Sequence, residues 1–122
     1  MSDEIEEKII KDLVELIDSK KGEDIAVIDV KEILPVTNYV FVVTANSSVH
    51  AHSLAKYIIS FFVENSLKNF LHNKSIDLNN PWILIDGGDI IVNVFLKETR
   101  EFYNLEKLYF KGSDVYKPAM KN

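Results

Sequence analysis

The sequence predicts an α/β (α+β) domain, a single mixed sheet flanked by helices. Three observations carry that expectation. Two segments, residues 3–20 and 48–64, repeat apolar side chains at helical spacing. "YVFVVTA", residues 39–45, is apolar at nearly every position, as in a strand covered on both faces, so helical layers have to flank it. "WILIDGGDIIVNVF" sets two strand-like runs on either side of a Gly-Gly pair, which is a hairpin signature.

Taken in order, Ile5, Ile9, Leu13, Leu16 and Ile17 form the apolar stripe of the first helix. Asp3 and Glu6 offer a capping-box-like start, and Gly22 offers a stop. "DIAVIDV", residues 24–30, is a β-branched strand. Cap-type Asn46, Ser47 and Ser48 precede the second helix, which places Ala51, Leu54, Ala55, Ile58, Ile59 and Phe62 on one stripe. Residues 65–81 show no clear period and end at Pro81, so they read as a connection, with room for one last helical turn. The domain is expected to span residues 1–110, with its core at 24–110 and "KGSDVYKPAMKN", residues 111–122, as a loose tail.

Composition excludes several function classes. At 122 residues, 47% apolar and 27% charged, the chain suits one globular domain. It has no cysteine, and its three histidines, His50, His52 and His72, are too few and too scattered for an imidazole site, so no structural metal or cofactor is expected. The acidic start "MSDEIEEKII" is unlike a basic secretory leader, and no apolar run reaches the roughly 18 residues that span a bilayer, so a cytoplasmic protein without membrane contact is expected. A net charge of −5 opposes broad binding to phosphate backbone, which leaves little direct nucleic-acid contact. The acid excess sits in residues 1–20, with seven acidic side chains against three lysines, and reads as a solvated helix face.

Asp86 and Asp89 are the first candidates for chemistry. With Gly87-Gly88 as a two-residue loop, Asp86 faces Asp89, Leu84 faces Ile91 and Trp82 faces Asn93, all on one side of the sheet. Paired carboxylates bind a divalent cation or share a proton, and the same residues also form tight turns. The turn is favoured, because the chain has no glycine-lysine phosphate loop, no strand-borne Asp-x-Asp, no nucleophile elbow and no Cys-His pair. Trp82 is either a core residue or an interface anchor, and period-two geometry does not separate the two. "LKETREFYNLEKLY", residues 96–109, is either a short helix with Arg100 paired to a glutamate, or an aromatic-plus-arginine cluster of the kind that makes interface hot spots.

"VTNYVFVVTANSS", "WILIDGGDIIVNVF" and "ETREFYNLEKLY", in this order and spacing, resemble the ribosomal silencing factor family, RsfS or Iojap, over about residues 24–110. There are departures from the family pattern: Asn38 stands for its Asp, Ala45 for a Gly, Gly87 for a Tyr, Asn93 for a His and Tyr109 for a Trp, and the Glu-Gly before the tryptophan is missing near Ser75 and Ile76. Asn93 hydrogen-bonds but cannot switch charge near neutral pH. The resemblance implies a nucleotidyltransferase-like fold without catalytic residues. It implies a non-enzymatic repressor that binds ribosomal protein L-fourteen on the large ribosomal subunit, blocks joining of the small subunit when nutrients are short, and has a part in large-subunit maturation. The partner-binding positions it implies are Asn38, Tyr39, Trp82, Asp86, Asp89, Asn93, Glu98, Arg100, Tyr103 and Glu106. A homodimer off the ribosome is a further expectation. The alternatives are a nucleotidyltransferase-like enzyme using Asp86, Asp89 and a divalent metal, and a generic protein-interaction domain.

Overall fold

The computed structural model of the chain describes residues 3–67, 70–71, 80–109 and 112–116. Chain order is α1 (Asp3–Ser19), β1 (Glu23–Asp29), β2 (Tyr39–Ala45), α2 (Ser48–Glu64), β3 (Phe70–Leu71), β4 (Trp82–Asp86), β5 (Ile90–Leu96), α3 (Lys97–Tyr103), α4 (Leu105–Leu108) and β6 (Ser113–Tyr116). The strands form one mixed sheet in the order β3-β4-β5-β2-β1-β6. Only β2 and β5 run parallel, which makes α2 part of the crossover between them. Strand β2 is buried at every position, as its unbroken apolar composition requires.

The two faces of the sheet are covered unequally. On one, Leu13 and Ile17 of α1 and Leu54, Ile58 and Phe62 of α2 pack on Val27, Phe41, Val43, Ile85, Val92 and Val94. Two helices of 17 residues each cover that face. On the other, among the described residues, Ala26, Ile28, Val30, Val40, Val42 and Phe95 cluster with Leu105 of the short α4, with Ile33, Leu34, Trp82 and Tyr109 packed against them and Tyr103 of α3 beside Phe95. Leu84 and Ile91, on this second face, stay half-buried. Thin cover of that side by the described residues is the feature that positions the candidate site.

Several expectations are corrected here. In α1 the buried stripe is Glu6, Ile9, Ile10, Leu13, Val14 and Ile17, while Ile5 is 55% exposed. The Glu6 carboxylate turns inward and accepts from Asn38 Nδ2. The helix ends at Ser19 and its left-handed stop falls on Lys21, one residue before Gly22, while the Gly22 amide donates to the Ile17 carbonyl at 2.9 Å, closing a Schellman turn. Gly22 is needed for space, since a Cβ there would lie 2.4 Å from Ile17 Cγ2.

The hairpin forms, in a different register. Asp86 pairs with Ile91, Leu84 with Asn93 and Trp82 with Phe95. The Gly87 amide donates to the Ile90 carbonyl at 2.8 Å, so the loop residues are Gly88 and Asp89. Gly88 carries the positive φ, 85°, at the first central position, where a glycine-led two-residue loop needs it. A shift of two residues keeps each side chain on its expected face and separates the two aspartates from direct opposition.

The segment expected as a loose tail contributes β6, antiparallel to β1. Residues 117–122 of that expected tail lie outside the described ones, as do 68–69 and 72–79 of the expected connection. Within that connection, Phe70 and Leu71 pair with Asp86 and Ile85 as a short edge strand. Residues 97–108 form two short helices rather than one, divided at Asn104, whose φ of 45° breaks the first.

Candidate functional site

Trp82 opens β4 and is half-buried. Its ring lies 5.0 Å from that of Phe95, its cross-strand partner, and 4.7 Å from that of Tyr103 on α3. Tyr103 in turn meets Phe102 edge-on at 5.1 Å. The cluster thus runs from fully buried Phe95 out to Phe102, which is 81% exposed. Tilted and edge-on ring pairs at these separations are favourable beyond their buried area. Trp82 belongs neither wholly to the core nor wholly to the surface: one part of its ring is packed and another is presented.

Asn93 holds this group from below. It is 2% exposed, so its amide has to find protein partners. Its Oδ1 accepts the Trp82 indole N–H at 3.0 Å, and its Nδ2 donates to the Phe41 carbonyl at 3.2 Å. One side chain thereby links β4, β5 and β2. Asn93 was expected to contact a partner; its burial takes it out of reach of one, although it touches the residue that is presented.

Arg100 anchors α3. Its Nε donates to Glu106 Oε1 at 2.9 Å, and Nη1 donates to Thr44 Oγ1 at 2.9 Å and to the Asp24 carbonyl. The side chain is 10% exposed, well away from the surface pair the sequence suggested. Its carboxylate partner is Glu106; Glu98, in the first turn of α3, is exposed. The guanidinium therefore positions Phe102 and Tyr103 and is not itself displayed.

The hairpin tip lies along the same strands. Asp86 Oδ1 accepts the Gly88 amide at 2.8 Å, a local Asx turn. Asp89 is exposed, and its backbone carbonyl accepts the amides of Asn38 and Tyr39, both at 3.0 Å. Among the described residues, no group of three His, Cys, Asp or Glu side chains could hold a metal ion.

Asn38 and Tyr39 belong to a separate knot under α1. Asn38 Nδ2 donates to Glu6 Oε2 at 3.2 Å, Lys31 Nζ donates to the Tyr39 hydroxyl at 3.3 Å, and Lys31 also lies 3.7 Å from Glu6 and 3.5 Å from Asp29. The bond to Tyr39, then the charges of Asp29 and Glu6, hold the Lys31 ammonium well above its ordinary value. Burial raises the Tyr39 phenol, with help from the Glu6 carboxylate and against the hydrogen bond from Lys31, which pulls it down. Tyr39 packs in the core on the α1/α2 face, opposite Trp82.

Nine of the ten positions named from the sequence therefore fall into four groups, and Glu98 stands apart from them. Trp82, Asn93 and Tyr103 stand together; Arg100 and Glu106 brace them; Asp86 and Asp89 shape the turn; Asn38 and Tyr39 sit on the other side of the sheet, and Glu98 is an exposed neighbour on α3. Glu6, Lys31 and Thr44 were missed. Only Glu6 carried a signal, as an acidic residue in phase with the apolar stripe of α1.

Comparison with known proteins agrees with this architecture. The family profile described as "Ribosomal silencing factor during starvation" (RsfS) matches residues 2–121. The ribosomal silencing factor RsfS of Bacillus subtilis is 33% identical over 104 residues, 85% of this chain and 86% of that protein. A mouse protein named for mitochondrial assembly of the ribosomal large subunit is 29% identical over 99 residues, 80% of this chain and 43% of that protein. A crystal structure of a Chromobacterium violaceum protein superposes with a TM-score of 0.75 at 26% identity, covering 93% of this chain and 94% of that one. With residues 2–121 matched by the family profile and 93% of the chain covered by the superposition, the chain belongs to the ribosomal silencing factor family, RsfS.

Proposed function

We propose that this chain represses translation by occupying space. It docks on the large ribosomal subunit through ribosomal protein L-fourteen, on the surface that faces the small subunit, and blocks subunit joining when nutrients are limiting. No reaction is involved; the domain supplies affinity and bulk. The observation that carries this reading is the sheet face that the described residues cover thinly, where half-buried Trp82 and exposed Tyr103 lead out to Phe102, 81% exposed. Aromatic anchors at the edge of a packed core are what protein interfaces use as hot spots. Asp86, Asp89, Glu98 and Glu101 border that face, and with a net charge of −5 the chain suits a basic protein and is repelled by bare rRNA.

The mouse relative's name, which refers to large-subunit assembly, supports attachment to that subunit and a part in its biogenesis. The protein acts in the cytoplasm, and off the ribosome the same apolar face can pair with a second copy as a homodimer.

Co-sedimentation with purified large subunits tests the proposal. The expected result is binding that excess free L-fourteen competes away, together with loss of subunit joining. Binding that ignores L-fourteen would move the docking site elsewhere, and nucleotide binding with Mg²⁺ at Asp86 and Asp89 would replace the proposal with an enzymatic one.

A further inference from the structure

A tryptophan that anchors an interface is useful only if its ring is held before the partner arrives, because ordering it during binding subtracts from affinity. Tilted contacts with Phe95 and Tyr103 pack against the Trp82 ring but carry no polar group that selects which edge of the indole faces outward. The indole N–H makes that selection. It donates to Asn93 Oδ1 at 3.0 Å, and the Asn93 amide is itself fixed by donation to the Phe41 carbonyl on β2 at 3.2 Å. At 2% exposure Asn93 cannot exchange these partners for water. Its neighbours along the same face, Leu84 and Ile91, are apolar and offer the indole no acceptor. Cross-strand pairing sets Trp82 opposite Phe95, so the bond to Asn93 is diagonal, and it is made by the side chains, not by the ladder.

We infer that Asn93 is the positioning residue of the docking face: its buried amide fixes which edge of the Trp82 indole is presented to the partner. The role rests on the docking reading, but its first test does not, because Trp82 is the one tryptophan in the chain and its emission reports on position 93 with no partner present.

The test compares Asn93→Leu, Asn93→His and wild type as full chains, by thermal melting, by tryptophan emission with acrylamide quenching, and by binding to purified large subunits. In Asn93→Leu the indole loses its acceptor while the sheet keeps an apolar side chain of similar size. Its quenching rate should rise and its emission maximum move, and its affinity should fall about tenfold, the change expected when one buried hydrogen bond is lost. In Asn93→His the ring can accept from the indole only while neutral. Its emission and its binding should gain a pH dependence, absent from wild type, centred near the imidazole value of about 6.5. Among the described residues, the ionisable groups on or bordering this face, Asp86, Asp89, Glu98, Arg100, Glu101, Tyr103, Glu106 and Tyr109, are common to both proteins, so the difference between the profiles isolates position 93. Wild-type quenching in Asn93→Leu, or equal pH profiles for Asn93→His and wild type, would overturn the inference. Should Asn93→Leu fail to fold, the histidine profile alone decides. If wild type does not bind large subunits, the docking proposal falls, and the emission arm still tells whether Asn93 holds the indole.

Discussion

Arg100→Ala separates the bracing of the candidate surface from the surface itself. The guanidinium makes three contacts, to Glu106, to Thr44 Oγ1 and to the Asp24 carbonyl, at 10% side-chain exposure. Removing it does not strand Glu106, whose side chain is 38% exposed and regains water, so that contact counts as a surface pair of about 0–1 kcal/mol. Thr44 is different: at 3% exposure its hydroxyl loses a charged donor, at about 1–3 kcal/mol. The Asp24 carbonyl adds about 1 kcal/mol. A total near 3 kcal/mol follows, which for a domain of this size lowers the melting temperature by about 10 °C. Arg100→Lys should recover only part of this, because a single ammonium cannot reach three acceptors set around a planar fork. In a double-mutant cycle, Thr44→Val should absorb more of the Arg100→Ala loss than Glu106→Gln does. Affinity for large subunits should fall as well, since α3 carries Phe102 and Tyr103. Melting of Arg100→Ala within about 2 °C of wild type would refute the bracing argument, because none of the three contacts could then be worth what its burial implies.

The double variant Asp86→Asn, Asp89→Asn should keep wild-type stability within about 0.5 kcal/mol, since an asparagine oxygen can still accept the Gly88 amide and Asp89 is exposed; loss of a nucleotidyl-transfer activity present in wild type would contradict this. Trp82→Ala should weaken binding to large subunits by on the order of 2 kcal/mol or more while costing less stability than the roughly 3–5 kcal/mol of a fully buried aromatic; a melt that accounts for the whole binding loss would make Trp82 a core residue only. Tyr39 and Lys31 both hold their protons more tightly in the folded chain, so their contribution is complete at neutral pH and drains as pH rises above their ordinary values of 10.0 and 10.5. Urea midpoints should therefore fall in that alkaline range, more steeply for wild type than for Tyr39→Phe, and parallel slopes would remove Tyr39 from the explanation. Binding should weaken with salt, but less than for a protein that neutralises six or more phosphates, and a log-log slope of that steepness would point to direct RNA contact.

Local order in the chain was legible where the physics is local. A 3.6-residue apolar period sufficed for α1 and α2, because a stripe of that period buries only as a helix. Residues 39–45 carry no polar alternation, and β2 is buried throughout. Turn chemistry found the hairpin but not its register. Both pairings put the same side chains on the same face, so the apolar pattern does not separate them; the observed register accompanies the Asp86 bond to Gly88 and a close approach at Gly87, where a Cβ would lie 2.8 Å from Phe62. Sequence-based reading of 113–116 as loose failed for a similar reason: a four-residue edge strand has too few residues to show a period, and its partner β1 lies over eighty positions away.

The sequence by itself determined the layers, the hairpin and the family, since each rests on patterns of neighbouring residues. Tertiary structure decided what the candidate residues do. Arg100 finds Asp24 and Thr44 across 76 and 56 positions, Asn93 finds Phe41 across 52, and Asn38 finds Glu6 across 32. Such contacts leave no periodic trace, because only the folded sheet brings their partners within hydrogen-bond reach, and burial then fixes which polar groups have to pair. Asn93 and Arg100 thus became supports, Asp86 a turn former, and Trp82 with Tyr103 and Phe102 the part left facing outward.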